Sequence, residues 1–205
     1  EFVYDVSFEN STYKADTKGI DFGRNGDQWK RGQSFVALEN SALTSVEVKI
    51  IAVDEQGAPG DLTAELYLCD PDSKMPAGAA LATAELSGKG ISASGFSVVE
   101  IPLQYDKLQK GSMYAVVLGQ KTKTGWYGWY CSYDNSNPNW WQPGSVNPQI
   151  KQKGCDEDLP SFKMNEDSQF LDDTGCGDLW LKAHYAPREV EALCYDLSFV
   201  NDTYG

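Results

Sequence analysis

Apolar and polar residues alternate along much of this chain with a period of two. Val46, Val48 and Ile50 are separated by Glu47 and Lys49, and Leu62, Ala64, Leu66 and Leu68 repeat the pattern after the turn-forming residues 56–61. Successive side chains of a strand point to opposite faces, so each run predicts a strand with one buried and one wet face. A short strand is expected at 4–8, with Tyr4, Val6 and Phe8 on one side, and others at 81–86, 96–103, 113–119, 126–133 and 179–185. Asp70-Pro71-Asp72, Lys89-Gly90 and Lys110-Gly111 punctuate these runs at short intervals. Residues 14–31 are rich in Gly, Asp and Lys, have only Ile20, Phe22 and Trp29 as anchors, and read as a long loop. No helical period of useful length appears. About eight or nine strands of this kind predict an all-β fold, an antiparallel two-sheet β-sandwich, because two sheets bury each other's apolar faces without a helix layer. The Cys…Trp…Cys spacing of an immunoglobulin domain is not evident, which favours a jelly-roll-like wiring.

One decapeptide occurs twice. Residues 4–13 read YDVSFENSTY and residues 195–204 read YDLSFVNDTY, so Tyr, Asp, Ser, Phe, Asn, Thr and Tyr recur in order without a gap. The spacing of a whole domain between them divides the chain into four parts: 1–32, the first strand and loop of a unit; 33–185, the sandwich; 186–192, a linker; and 193–205, the start of a second copy of the first strand. Pro187 and the charged residues of the linker suit a semi-rigid connection. Tyr4, Val6 and Phe8, with Tyr195, Leu197 and Phe199, are therefore candidate assembly residues, in a tandem repeat or in strand exchange with a neighbour. Both copies hold a glycosylation sequon, at Asn10 and at Asn201, and the same residues also suit a turn after the strand.

The net charge of -13 and pI near 4.4 exclude nucleic acid and anionic membrane as natural partners, since a phosphate surface would be repelled. No apolar run approaches the ~18 residues that span a bilayer, so membrane insertion is not expected. Nor does a basic, then apolar, leader open the chain, so any secretion signal is expected upstream or already removed. The five cysteines, Cys69, Cys131, Cys155, Cys176 and Cys194, have no CxxC spacing and a single histidine to help them, so disulfides are expected rather than zinc. Cys155 and Cys176 bracket a polar loop and are the first pair expected to bridge, worth ~3 kcal/mol by chain entropy. Cys194 stands where the first copy has Val3, and is a candidate lock between domains, with Cys69 or Cys131 as partner.

Beyond the period, six strings resemble a known domain type: GQSFVALENSALTSVEVKI, PGDLTAELYLCD, PAGAALATAEL, FSVVEIPL, GSMYAVVLGQ and GDLWLKAHY, in that order. They are similar to a jelly-roll β-sandwich repeated in large prokaryotic and phage extracellular surface proteins, itself like carbohydrate-binding modules in overall shape. The resemblance covers 33–185 and implies architecture and an extracellular, cell-surface location, with no functional residue attached. The stretch 135–177 departs from it, where a shorter loop is expected.

Three sets of side chains are candidates for chemistry. Trp126, Tyr127, Trp129, Tyr130 and Tyr133 crowd one predicted strand, and Trp140 and Trp141 follow among Asp134, Asn135, Asn137 and Asn139. Flat rings beside amides are the grammar of sugar recognition, and equally of core packing or of a subunit contact. Asp156, Asp158, Asp172 and Asp173 belong to an acidic stretch that offers hard oxygen ligands for Ca²⁺, although charged loops are more often only solvated. His184 is the only histidine, and no nucleophile, phosphate loop or metal-ligand set accompanies it, so an enzyme is not expected and no cofactor is required. The expectation is a structural unit of an extracellular filament, stalk or adhesin whose partners are copies of itself; the alternative is a carbohydrate-binding module that uses the aromatics of 126–141 to hold glycans.

Overall fold

The structure is a computed structural model that describes residues 2–9, 19–24, 29–55, 57–132, 150–165, 167–173 and 177–188. Among the described residues lie thirteen strands and no helix: β1 (Val3–Val6), β2 (Ile20–Phe22), β3 (Arg31–Val36), β4 (Ser41–Val53), β5 (Leu62–Cys69), β6 (Pro76–Leu86), β7 (Ser97–Ile101), β8 (Tyr105–Leu108), β9 (Met113–Gln120), β10 (Trp126–Trp129), β11 (Ser161–Met164), β12 (Phe170–Asp172) and β13 (Leu181–Pro187). One sheet runs β1-β13-β4-β10-β2, with β7 and β8 also paired to β4; the other runs β12-β11-β3-β9-β5-β6. All pairings are antiparallel, and the all-β, two-sheet sandwich expected from the alternation is the fold.

The inner faces follow the sequence pattern. Val46, Val48 and Ile50 of β4, Leu181 and Ala183 of β13, and Tyr127 and Trp129 of β10 meet Leu62, Ala64 and Leu66 of β5 and Tyr114, Val116 and Leu118 of β9 in one buried cluster. β4 organises its sheet because its thirteen residues are long enough to pair four strands, β13 and β10 along one edge and β7 and β8 along the other.

The strand count is higher than the eight or nine expected. β2 lies inside the stretch read as a loop; its three residues are too few to show a period, yet Phe22 is wholly buried against Tyr127 and Trp129. β11 and β12 fall within 135–177, also read as loop, and extend the second sheet beyond β3. β8 was hidden by its charged residues Asp106 and Lys107.

The outer face of the second sheet is not wet. Tyr67, Cys69, Ala115, Val117 and Phe162 form a second buried cluster there, so β9 is covered on both faces. Gly32 of β3 allows this: a Cβ on it would lie 3.0 Å from the Val117 side chain and 3.1 Å from the Val116 carbonyl. Arg31, on the same strand, binds Asp173 at 2.6 Å, with both side chains under 10 % exposed, and so ties the end of β12 to β3.

Candidate functional site

The site is the slot at the edge of the first sheet that β1 fills. β13 lies between β4 and β1, and β1 runs antiparallel to it in the register Val3–His184, Tyr4–Ala183, Asp5–Lys182 and Val6–Leu181. Period two then turns Tyr4 and Val6 inward, and both are 0 % exposed. The Tyr4 ring stacks on Tyr185 at 4.1 Å and on Phe35 at 5.6 Å. Its hydroxyl lies 2.7 Å from Ser41 Oγ and donates to the Glu39 carbonyl at 3.3 Å, while Tyr185 donates to the Glu39 carboxylate at 2.6 Å. Two stacked phenols are thereby pinned to one turn. Burial pushes both phenols above their ordinary pKa; for Tyr185 the bond to Glu39 and its negative charge push the same way.

Asp5 shapes the end of β1: its carboxylate accepts the Ser7 N–H at 2.8 Å, and its carbonyl accepts the Lys153 N–H at 3.0 Å. Phe8 then stacks on Tyr130 at 5.5 Å. Tyr130 also meets the edge of Phe96 at 5.1 Å and carries the Lys49 ammonium 3.9 Å above its ring. Two features read separately in the sequence, the duplicated strand and the aromatic cluster, thus meet at Phe8 and Tyr130. Tyr195, Leu197, Phe199, Asn10 and Asn201 lie outside the described residues, as do Tyr133, Trp140 and Trp141.

The other described members of the aromatic cluster, Trp126, Tyr127 and Trp129, are packed. Tyr127 and Trp129 face the core, and the Trp129 indole donates to the Trp180 carbonyl at 2.8 Å. Trp126 faces outward but is only 6 % exposed, with its indole N–H on Glu55 at 3.1 Å and the Arg24 guanidinium 4.5 Å over its ring. None of these three rings offers a free face to a sugar.

The acidic residues do not converge. Asp156 and Asp158 are exposed, Asp172 is exposed on β12, and Asp173 is committed to Arg31 and, at 3.6 Å, to Lys163. Among the described residues no three acidic, His or Cys side chains are grouped to hold a metal ion. His184 projects from the outer face of β13, with Nε2 3.3 Å from the Glu47 carboxylate.

The expected Cys155–Cys176 bridge is corrected: Cys155 carries a free thiol and packs against the main core, in a turn closed by its own N–H on the Gln152 carbonyl. Cys176 and Cys194 lie outside the described residues. Cys69 and Cys131 form no disulfide among the described residues and are 4 % and 0 % exposed, so neither reaches a neighbouring domain without opening the core. Burial pushes the Cys69 thiol up to about 12, which leaves almost no thiolate to react.

Compared with protein-family models and with curated proteins, the chain matches none.

The structure also assembles a polar core that the sequence did not single out. Asp178, 2 % exposed, accepts the Ile150 N–H on its carboxylate and lies 3.5 Å from the Gln33 amide; its own N–H donates to the Ser132 hydroxyl at 2.8 Å, and its carbonyl accepts the Ser132 N–H at 2.8 Å. The Gln33 amide oxygen accepts the Leu179 N–H at 2.7 Å, and Gln152 binds both backbone groups of Val36 at 2.8 Å. Asp178 therefore gathers Ser132 and Ile150, the two residues that flank 133–149. Burial raises its pKa to about 7, against the lowering effect of the Ile150 N–H and the Gln33 amide; Asp158 adds repulsion. A buried glutamine or aspartate has no periodic signature, so only a partner distant in sequence reveals it.

Proposed function

We propose that this chain is a structural unit of an extracellular filament, stalk or adhesin, joined head to tail with further copies through the duplicated strand. One observation carries the reading. Of the residues of β1 and the turn after it that contact the slot, Tyr4, Asp5, Ser7 and Phe8 recur in the tail as Tyr195, Asp196, Ser198 and Phe199, and Val6 recurs as the apolar Leu197. A strand sequence kept in this detail at a domain's distance is what a repeated unit requires, because every unit must fill the same slot. The strongly acidic composition suits a protein that stays apart from nucleic acid and anionic membranes, and the sandwich fold agrees with the resemblance to repeated surface domains. The role is mechanical: a stiff two-sheet bead whose first strand is the joint.

The test is made on the source material, run on a denaturing gel with and without reductant and blotted for this sequence. Species many times the 22.6 kDa of the chain are expected, or assemblies of that size in the native state. Material that is 22.6 kDa on the gel and monomeric by light scattering would overturn the reading.

A further inference from the structure

The chain enters and leaves the sandwich at one pole. β1 and β13 are antiparallel neighbours, Val3 lies opposite His184, and the Tyr185 N–H donates to the Phe2 carbonyl at 3.0 Å. Only residues 188–193 separate Pro187, the end of β13, from Cys194. Six extended residues reach about 20 Å, whereas an adjacent strand lies only about 4.8 Å away. A tail that turned back after Pro187 would run antiparallel to β13 along the edge that β1 covers, in the direction β1 itself takes.

The tail carries what that edge selects. Tyr195 matches the phenol held by Ser41 and Glu39, Asp196 and Ser198 match the carboxylate and N–H that close the turn, and Phe199 matches the ring on Tyr130. The copies differ at three positions: Leu197 replaces Val6, apolar for apolar, Val200 replaces Glu9, which is exposed and outside the slot, and Asp202 replaces Ser11 further on. One slot therefore has two nearly equivalent strands in the same polypeptide.

We propose that the slot beside β13 is a strand-acceptor site for which β1 and the tail of the same chain compete, residues 194–199 entering in place of 3–8 and displacing β1. A same-chain occupant is favoured over one from a second copy because a short tether holds the tail at roughly millimolar effective concentration. The inference goes beyond head-to-tail joining and does not depend on it, since the slot and both strands belong to one chain. Along a tandem array it means that each slot can be filled from either side, by its own first strand or by the next unit's.

The register supplies the test. The bond from the Tyr185 N–H to the Phe2 carbonyl lies outside the Val3–His184 pair, which makes this a non-hydrogen-bonded pair. Such pairs bring Cα atoms to about 4.5 Å, within disulfide range. With the tail in the slot, Cys194 takes the place of Val3 opposite residue 184. The full chain carrying His184→Cys is therefore treated with oxidised glutathione and mapped by peptide mass. A bond within one chain between the introduced thiol and Cys194 is expected; adding Tyr4→Asp, which weakens β1 alone, should raise its yield, and adding Tyr195→Asp should abolish it. The proposal is overturned by a folded Tyr4→Asp, His184→Cys chain with no bond to Cys194, and equally by a bond found only between two chains, which would assign the slot to a second copy. Unfolding on Tyr4→Asp would also overturn it, because the tail should then have kept the slot filled.

Discussion

Asp178 shows what one residue in the interior does to the whole stability curve. Its folded pKa, about 7, stands above the ordinary 3.8 because burial penalises the charged carboxylate more than the Ile150 N–H and Gln33 amide support it. A raised folded value means that the native chain holds a proton which the unfolded chain has released. The resulting stabilisation is fully present below about pH 4 and is lost as pH rises through about 7. Asparagine has a similar shape and no charge at any pH. The stability of Asp178→Asn relative to the parent should therefore climb between about pH 4 and about pH 7 and then level off, by up to roughly 4 kcal/mol. Urea unfolding at a series of pH values measures this, and a difference that stays flat would refute the charge argument.

Among the elements, β11 and β12 owe their place to one ion pair more than to their own sequence. Ser161–Met164 and Phe170–Asp172 are short, and neither shows a period that identifies it. Phe162 is buried in the outer cluster and Phe170 packs at its edge, while Arg31 of β3 grips Asp173 just past β12, with Lys163 adding a second, looser contact. A buried charge left wholly unpaired costs about 3–5 kcal/mol; Lys163 stays 3.6 Å from Asp173, so Arg31→Ala should destabilise by less than that, by about 2 kcal/mol. Hydrogen exchange should locate the damage, with protection lost first along β11 and β12 and retained in β4 and β9. Uniform loss across both sheets would mean that this hairpin is not a separable element. The edge strand β1 has the opposite character: its identity is legible from the sequence, first by alternation and again by duplication.

At the scale of the molecule, the net charge of -13 belongs to a chain whose described ion pairs include the buried Arg31–Asp173 contact at 2.6 Å. Net self-repulsion among 30 acidic and 17 basic residues opposes the compact state and is screened by salt. Raising ionic strength from about 0.01 to about 0.1 M shortens the Debye length from about 30 to about 10 Å, and the thermal midpoint should rise over that range. A midpoint that fell would show that exposed attractive pairs, such as Lys121–Glu85 at 2.6 Å, outweigh the repulsion. Because β1 and β13 are antiparallel neighbours, the first strand of the sandwich begins at the pole where β13 ends.

Alternation along the chain determined the all-β class, the two-sheet arrangement and most of the core, because a period of two is a local property that any strand with one buried face must show. The duplicated decapeptide was equally plain, and with it the strand β1 whose sequence recurs. Tertiary structure alone decided the rest, since pairing joins residues far apart in sequence: β2, β8, β11 and β12 are too short or too charged to declare themselves until a partner strand is beside them. It buried Trp126 on one face of β10 and Tyr127 and Trp129 on the other, although the letters alone allowed an open aromatic platform. It left Cys155 unbridged and set Asp173 and Asp178 against Arg31 and Gln33, about 140 residues away. A carboxylate reads the same in sequence whether it meets calcium, arginine or water, and only the fold brings one of them within reach.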